Sequence, residues 1–219
     1  MGMSILFFMS LKTIINCFEN ELEEKVKAKE SAISAYRRAI TCSKQAVMAV
    51  HRAELENAKN KLSEAQSTLE QTEAISISHR DLLLSIERVA YQEYAEAAIL
   101  LKLVETKTFP DPRELNIPTL AYLLGLADAI GEFRRRALEA LRQRKLKIAQ
   151  NCLSIMDEIY SALMVLDNAY VLIPELRHKC DVARRLIEIT LGDVTTETRR
   201  NSLEKSIVQL EAMIKQNKQ

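Results

Sequence analysis

The sequence predicts an all-α protein, a single-domain bundle of six or seven long helices, and three observations carry that expectation. Among 219 residues only four are Gly and four are Pro, about 4% together against about 12% in an average protein. No Gly stands between Gly2 and Gly125 and no Pro precedes Pro110, so the turns that a β or α/β fold needs every ten residues or so have no residues to make them. Apolar residues make up 47% and charged residues 28%, the balance of a chain that buries a core. The apolar positions recur in helical steps of three and four.

In chain order, SILFFMSL at 4–11 opens an apolar N-terminal extension, residues 1–17. It falls short of the roughly 20 apolar residues that a membrane span requires, and no Lys or Arg precedes Lys12 to make a signal peptide. From about Phe18 to Gln71 the chain reads as helix. Its seam runs Ile33, Tyr36, Ile40, Ser43, Val47, Val50 and then Leu55, Ala58, Leu62, Ala65, Leu69. The five-residue step from Val50 to Leu55 moves the stripe around the helix and predicts a break near His51–Glu54. After a weakened pattern at 72–80, a helix follows from Asp81, an N-cap residue type, to about Lys107. FPDPRELNIP at 109–118 holds three of the four prolines and is the clearest break. Further helices are expected from Thr119, a capping residue type, to about Gln150, then over 151–172, 174–191 and 195–216. Pro174 and Gly192 punctuate the last three.

Net charge is +1 from 31 basic and 30 acidic residues, so no bulk positive field advertises nucleic-acid binding. Any such binding must come from local patches. Cys17, Cys42, Cys152 and Cys180 include no C-x-x-C pair, and His51, His79 and His178 are far apart. A zinc site or disulfide framework is not indicated, and a reducing, cytoplasmic setting is the simpler expectation.

Two acidic pairs interrupt the apolar seams. In SIERVAYQEYAEAAILLKLVE the seam reads Ile86, Val89, Glu93, Glu96, Leu100, Leu103, which places two carboxylates at i and i+3 where apolar side chains belong. In AYLLGLADAIGEFRRR, Asp128 and Glu132 share a face at i and i+4, with Gly125 and Gly131 allowing a neighbouring helix to approach. Like charges on a core-facing stripe raise each other's pKa or demand a cation. Carboxylates without His or Cys suit Mg²⁺ or Mn²⁺, and such a site can assist phosphodiester hydrolysis. A solvated helix face, or an ion pair with Arg134, Arg135 or Arg136, accounts for the same spacing. Beside the seam, Arg37, Lys44 and His51 recur every seven residues, flanked by Arg38 and Arg52, and a second basic group runs from Arg134 to Lys147. Such stripes fit a phosphate backbone or a solvated face.

AYLLGLADAIGEFRR resembles the most characteristic helix of the translin and translin-associated factor X family, QEYAEA at 92–97 resembles the acidic segment of the factor X branch, and SAYRRAITCSKQAVMAVHRAE at 34–54 is similar to the family's basic helix. The likeness covers roughly residues 30–215. It implies a seven-helix subunit that assembles into hollow, octamer-like shells and binds single-stranded RNA or DNA inside. It further implies a Mg²⁺-dependent endoribonuclease with Glu93, Glu96 and Asp128 as catalytic carboxylates and Glu132 as a fourth metal ligand. Arg37, Arg38, Lys44, His51 and Arg52 would face the RNA. The short 109–118 connection, where factor X carries a longer insertion, is similar to archaeal members, which would form homo-oligomers. Two other functions share these residues: a non-catalytic nucleic-acid-binding scaffold, and an all-α nucleotide pyrophosphohydrolase, whose double acidic start is missing because Gln92 precedes Glu93. A di-iron bundle lacks its E-x-x-H ligands.

Overall fold

The computed structural model describes residues 11–78 and 84–216. Over these the chain forms seven helices and no strand: α1 (Leu11–His51), α2 (Leu55–Ser78), α3 (Leu84–Thr106), α4 (Thr119–Arg142), α5 (Leu146–Met164), α6 (Asp167–Leu172) and α7 (Pro174–Gln216). The all-α expectation is met, and the boundaries differ from it at informative points. Residues 1–10 and the expected cap Asp81 lie outside the described residues. From Leu11 the N-terminal extension is the first part of α1, with Leu11 and Ile15 exposed.

The expected break near His51 is a closed helix end. Ala53 adopts φ 62°, its N–H donates to Val50 O at 3.0 Å, and the Glu54 N–H donates to Ala49 O at 2.9 Å. That bond pair is the usual closure around a left-handed residue. The helix expected to reach Gln150 ends in the same way: Arg144 sits at φ 58° and the Lys145 N–H reaches Ala140 O at 2.8 Å. The segment 151–172 is likewise divided, between α5 and the short α6. Gly192 ends nothing, since α7 runs through it for 43 residues. Thr119 is the first residue of α4 rather than its cap; Pro118 holds that position, with no side-chain capping bond.

Helices α1, α2 and α3 pack on one another, α3 packs on α4, and α4, α5 and α7 form a second mutually packed group with α6 against α7. The α3–α4 pair therefore joins the two groups. Buried side chains from both, among them Tyr36, Leu69, Leu100, Leu124, Phe133, Met156 and Leu176, form one contiguous core. The seam residues Tyr36, Val47, Val50, Ala58, Leu62, Ala65 and Leu69 are buried as the periodicity requires. At Gly125 a Cβ would lie 2.7 Å from Ala95 Cβ and 2.9 Å from the Glu96 nitrogen, so α3 and α4 approach more closely than any other residue allows. Gly131 differs from the expectation, because nothing lies within 4 Å of its missing Cβ. Among the described residues no helix is long and apolar enough to cross a membrane.

Candidate functional site

The contact at Gly125 sets the register of the site. It seats α4 against Gln92, Ala95 and Glu96 of α3, and one turn further along α4 comes Asp128, then Glu132. Gln92 Nε2 donates to Asp128 Oδ2 at 2.6 Å, tying the two acidic helices together. The four carboxylates singled out by spacing thus belong to one region between α3 and α4, and two further helices supply the countercharge.

Each of three carboxylates turns to a different basic side chain. Lys44 on α1 lies 3.3 Å from Glu93. His51, at the end of α1, places Nε2 2.5 Å from Glu132 Oε2, with its ring only 10% exposed, and Arg135 lies 3.8 Å from the same carboxylate. Lys179 on α7 donates a short hydrogen bond to Asp128 Oδ1. The hydrogen bond from His51, aided by its charge and that of Arg135, outweighs burial and holds Glu132 below the usual carboxylate range.

Glu96 has no ion pair among the described residues. Burial, and after it the charges of Asp128, Glu132 and Glu93, push its carboxyl up to about 8, with Lys179 acting weakly in the other direction. This is the behaviour expected of a carboxylate packed against like charges without a cation of its own. As the side chains lie, no group of three His, Cys, Asp or Glu residues among those described is gathered closely enough to hold a metal ion. The donor chemistry nevertheless fits a hard divalent cation: four oxygen-only ligand side chains, one of them, Glu96, half-buried and without an ion pair among the described residues.

The ion-pair alternative with the α4 arginines is met only by Arg135. Arg134 turns away to Thr190 Oγ1 at 2.7 Å and Asp193 at 3.6 Å on α7. Arg136 lines a separate cleft with Cys152. The basic stripe on α1 divides as well. Lys44 and His51 are engaged with the carboxylates, Arg38 pairs with Glu64 of α2 at 2.8 Å, and Arg37 and Arg52 are exposed without an ion pair among the described residues. Lys179 and the bridging role of Gln92 were not found by sequence reasoning. No spacing rule connects Lys179 to Asp128, 51 positions away; only the packing of α7 on α4 does.

The chain as a whole is similar to known proteins in sequence and in fold. The sequence model of the Translin family matches residues 21–188. An uncharacterized protein of Methanocaldococcus jannaschii is 28% identical over 184 residues, covering 83% of this chain and 82% of that protein. The crystal structure of AfC3PO, also solved as a complex with duplex RNA, superposes with a TM-score of 0.77 at 29% identity, covering 85% of this chain and 97% of the other. The apo-NeC3PO crystal structure gives a TM-score of 0.78 at 20% identity, over 86% of this chain and all of that one, a likeness of fold.

Proposed function

Since this chain belongs to the translin family, we propose that it is a metal-dependent endoribonuclease that binds single-stranded RNA, or DNA, and cleaves RNA at the α3–α4 carboxylates inside a homo-oligomeric, octamer-like shell. The observation that carries this reading is Glu96, a half-buried carboxylate among three others with no ion pair among the described residues. Glu93, Glu96, Asp128 and Glu132 would hold Mg²⁺ or Mn²⁺. Such an ion supplies a Lewis acid that lowers the pKa of water and offsets phosphodiester charge.

The protein's own groups set up that chemistry. Gln92 fixes one oxygen of Asp128, and His51 holds Glu132 ionised and oriented. Lys44 and Lys179 neutralise Glu93 and Asp128, which keeps the cluster tolerable when no ion is bound. Both ammonium groups would be released to meet phosphate once the carboxylates are otherwise engaged. Arg37 and Arg52 are free to meet an RNA backbone, with Arg38 beside them. Nucleic acid as the ligand is supported by AfC3PO, a structural relative solved with duplex RNA.

Assembly is supported by apolar side chains that the isolated chain leaves in water. Leu11, Ile15, Phe18, Leu22 and Val26 form an exposed stripe on α1, and Leu203, Ile207, Leu210 and Ile214 one on α7. Both repeat in steps of three and four, the pattern of a helix-to-helix seam. The four cysteines, all free, suit a reducing cytoplasm.

The test is incubation of the purified protein with end-labelled single-stranded RNA in Mg²⁺ and in EDTA, beside Glu93→Ala. Internal cleavage that requires Mg²⁺ and is lost in the variant, with assembly and RNA affinity kept, is the expected result. RNA binding without cleavage under any divalent metal would instead make the protein a scaffold and the acidic cluster a structural network, the reading favoured by the basic side chains already seated on Glu93, Asp128 and Glu132.

A further inference from the structure

We propose that the groove between the end of α1 and the C-terminal half of α4 is a phosphate-binding channel that seats the RNA strand on one side of the carboxylate cluster. This deepens the endoribonuclease reading and rests on it. Helix α1 packs on α2 and α3 but has almost no backbone contact with α4. The gap left between them is a groove of about 600 Å³. Its floor includes Gly131, around whose missing Cβ there is open space.

The charge in the groove is one-sided. Arg52 comes from the turn after α1, and Arg134, Arg135 and Arg142 come from α4; Glu139 is the one acidic side chain in the lining. Glu139 is already taken by Arg142, through bonds of 2.6 and 2.8 Å. Arg134 is fixed by Thr190 and Asp193 and serves as a rigid wall. Two guanidiniums make no hydrogen bond to a carboxylate in the groove. Arg52 has no ion pair among the described residues, and Arg135 lies 3.8 Å from Glu132, too far for a hydrogen bond.

Planar guanidinium forks match the oxygens of a phosphate two at a time. Met48 and Leu138, partly exposed in the same lining, offer apolar surface to a sugar or base, which an inorganic anion would not need. His51 belongs to the groove's lining and also contacts Glu132. A strand lying in the channel therefore runs past His51 onto the carboxylates. The ligand is a phosphate of a nucleic-acid strand, either an internal diester or a terminal monoester.

Binding of a fluorescent single-stranded RNA to the full chain, measured in EDTA across a salt series, tests this without requiring cleavage. The double variant Arg52→Gln/Arg135→Gln should bind on the order of tenfold more weakly, and its salt slope should fall by about 0.7 for each phosphate that is no longer neutralised. Gly131→Gln, which fills open space and favours helix, should weaken binding while leaving the fold intact by circular dichroism. Arg113→Gln, paired with Asp111 away from the groove, should change neither. A 5′-phosphorylated and a 5′-hydroxyl RNA compared side by side tell a terminal from an internal phosphate: weakening confined to the phosphorylated strand assigns the channel to the 5′ end, and equal weakening assigns it to internal linkages. Wild-type affinity and salt slope in both groove variants would overturn the proposal even if Mg²⁺-dependent cleavage is found. Weakened binding in both, in a protein that never cleaves RNA, would leave the channel standing while the nuclease reading falls.

Discussion

Replacing Glu96 by Gln removes the one cluster carboxylate without an ion pair among the described residues, and the consequence can be worked out from its environment. Burial and three neighbouring carboxylates carry its pKa from the ordinary 4.5 to about 8. Between those values the folded protein keeps a proton that the unfolded chain has released, so Glu96 lowers stability progressively as pH rises through this window. Converted at about 1.36 kcal/mol per pH unit, the penalty is on the order of 3–5 kcal/mol above pH 8 and about 1 kcal/mol or less near pH 5. Glu96→Gln has no such titration. In EDTA, at one protein concentration, it should be more stable than the wild type at pH 9 by that amount, a rise of about 10 °C in Tm for a chain of this size, with the two nearly equal at pH 5. Added Mg²⁺ should raise the wild-type Tm and raise that of the variant much less, because the ion competes with the proton for the same oxygen. Thermal unfolding at pH 5, 7 and 9, with and without Mg²⁺, reads all of this. Parallel stability curves for the two proteins in EDTA would show that Glu96 is not held among like charges, and the argument for a cation site would lose its foundation.

The two α4 glycines should respond in opposite directions. Gly125→Ala places a Cβ 2.7 Å from Ala95 Cβ and against α3 backbone, which should cost about 2 kcal/mol or more and reduce RNA cleavage by shifting Asp128. Gly131→Ala meets no atom and should gain about 1 kcal/mol from helix propensity; urea denaturation of both checks the pair. Ala53 occupies a left-handed position at φ 62°, so Ala53→Gly should stabilise by about 0.5–1 kcal/mol, and a lowered Tm would refute the strain. His51→Gln removes the group that keeps the Glu132 pKa low. A depressed carboxylate loses its stabilised charge as pH falls through its folded value, so the acid limb of Mg²⁺-dependent cleavage should move to higher pH in the variant. An acid limb that stays in place would mean that His51 does not act through Glu132.

Periodicity and composition determine a good deal of this protein. Eight turn-forming Gly and Pro residues in 219 exclude a β fold before any coordinate is seen, and the three-four spacing of Glu93 and Glu96, then of Asp128 and Glu132, puts each pair on one helix face because the α-helical repeat is a local property. Helix ends were less legible. Glycine ordinarily marks a left-handed closing residue, but here Ala53, Lys107, Asn116 and Arg144 take that conformation, while Gly192 lies within α7. Nor could identity separate Gly125, which lets two helices touch, from Gly131, which borders an open groove.

The electrostatics of the site were decided by tertiary packing alone. His51 finds Glu132 across 81 residues and Lys179 finds Asp128 across 51, and it is these partners that leave Glu96 as the cluster's carboxyl without an ion pair among the described residues. Whether a carboxylate is neutralised depends on which helices become its neighbours, and that follows from how α1 and α7 pack around the α3–α4 pair. A local repeat can place a charge on a face, but the energy of that charge is set by long-range contacts that no spacing in the sequence encodes.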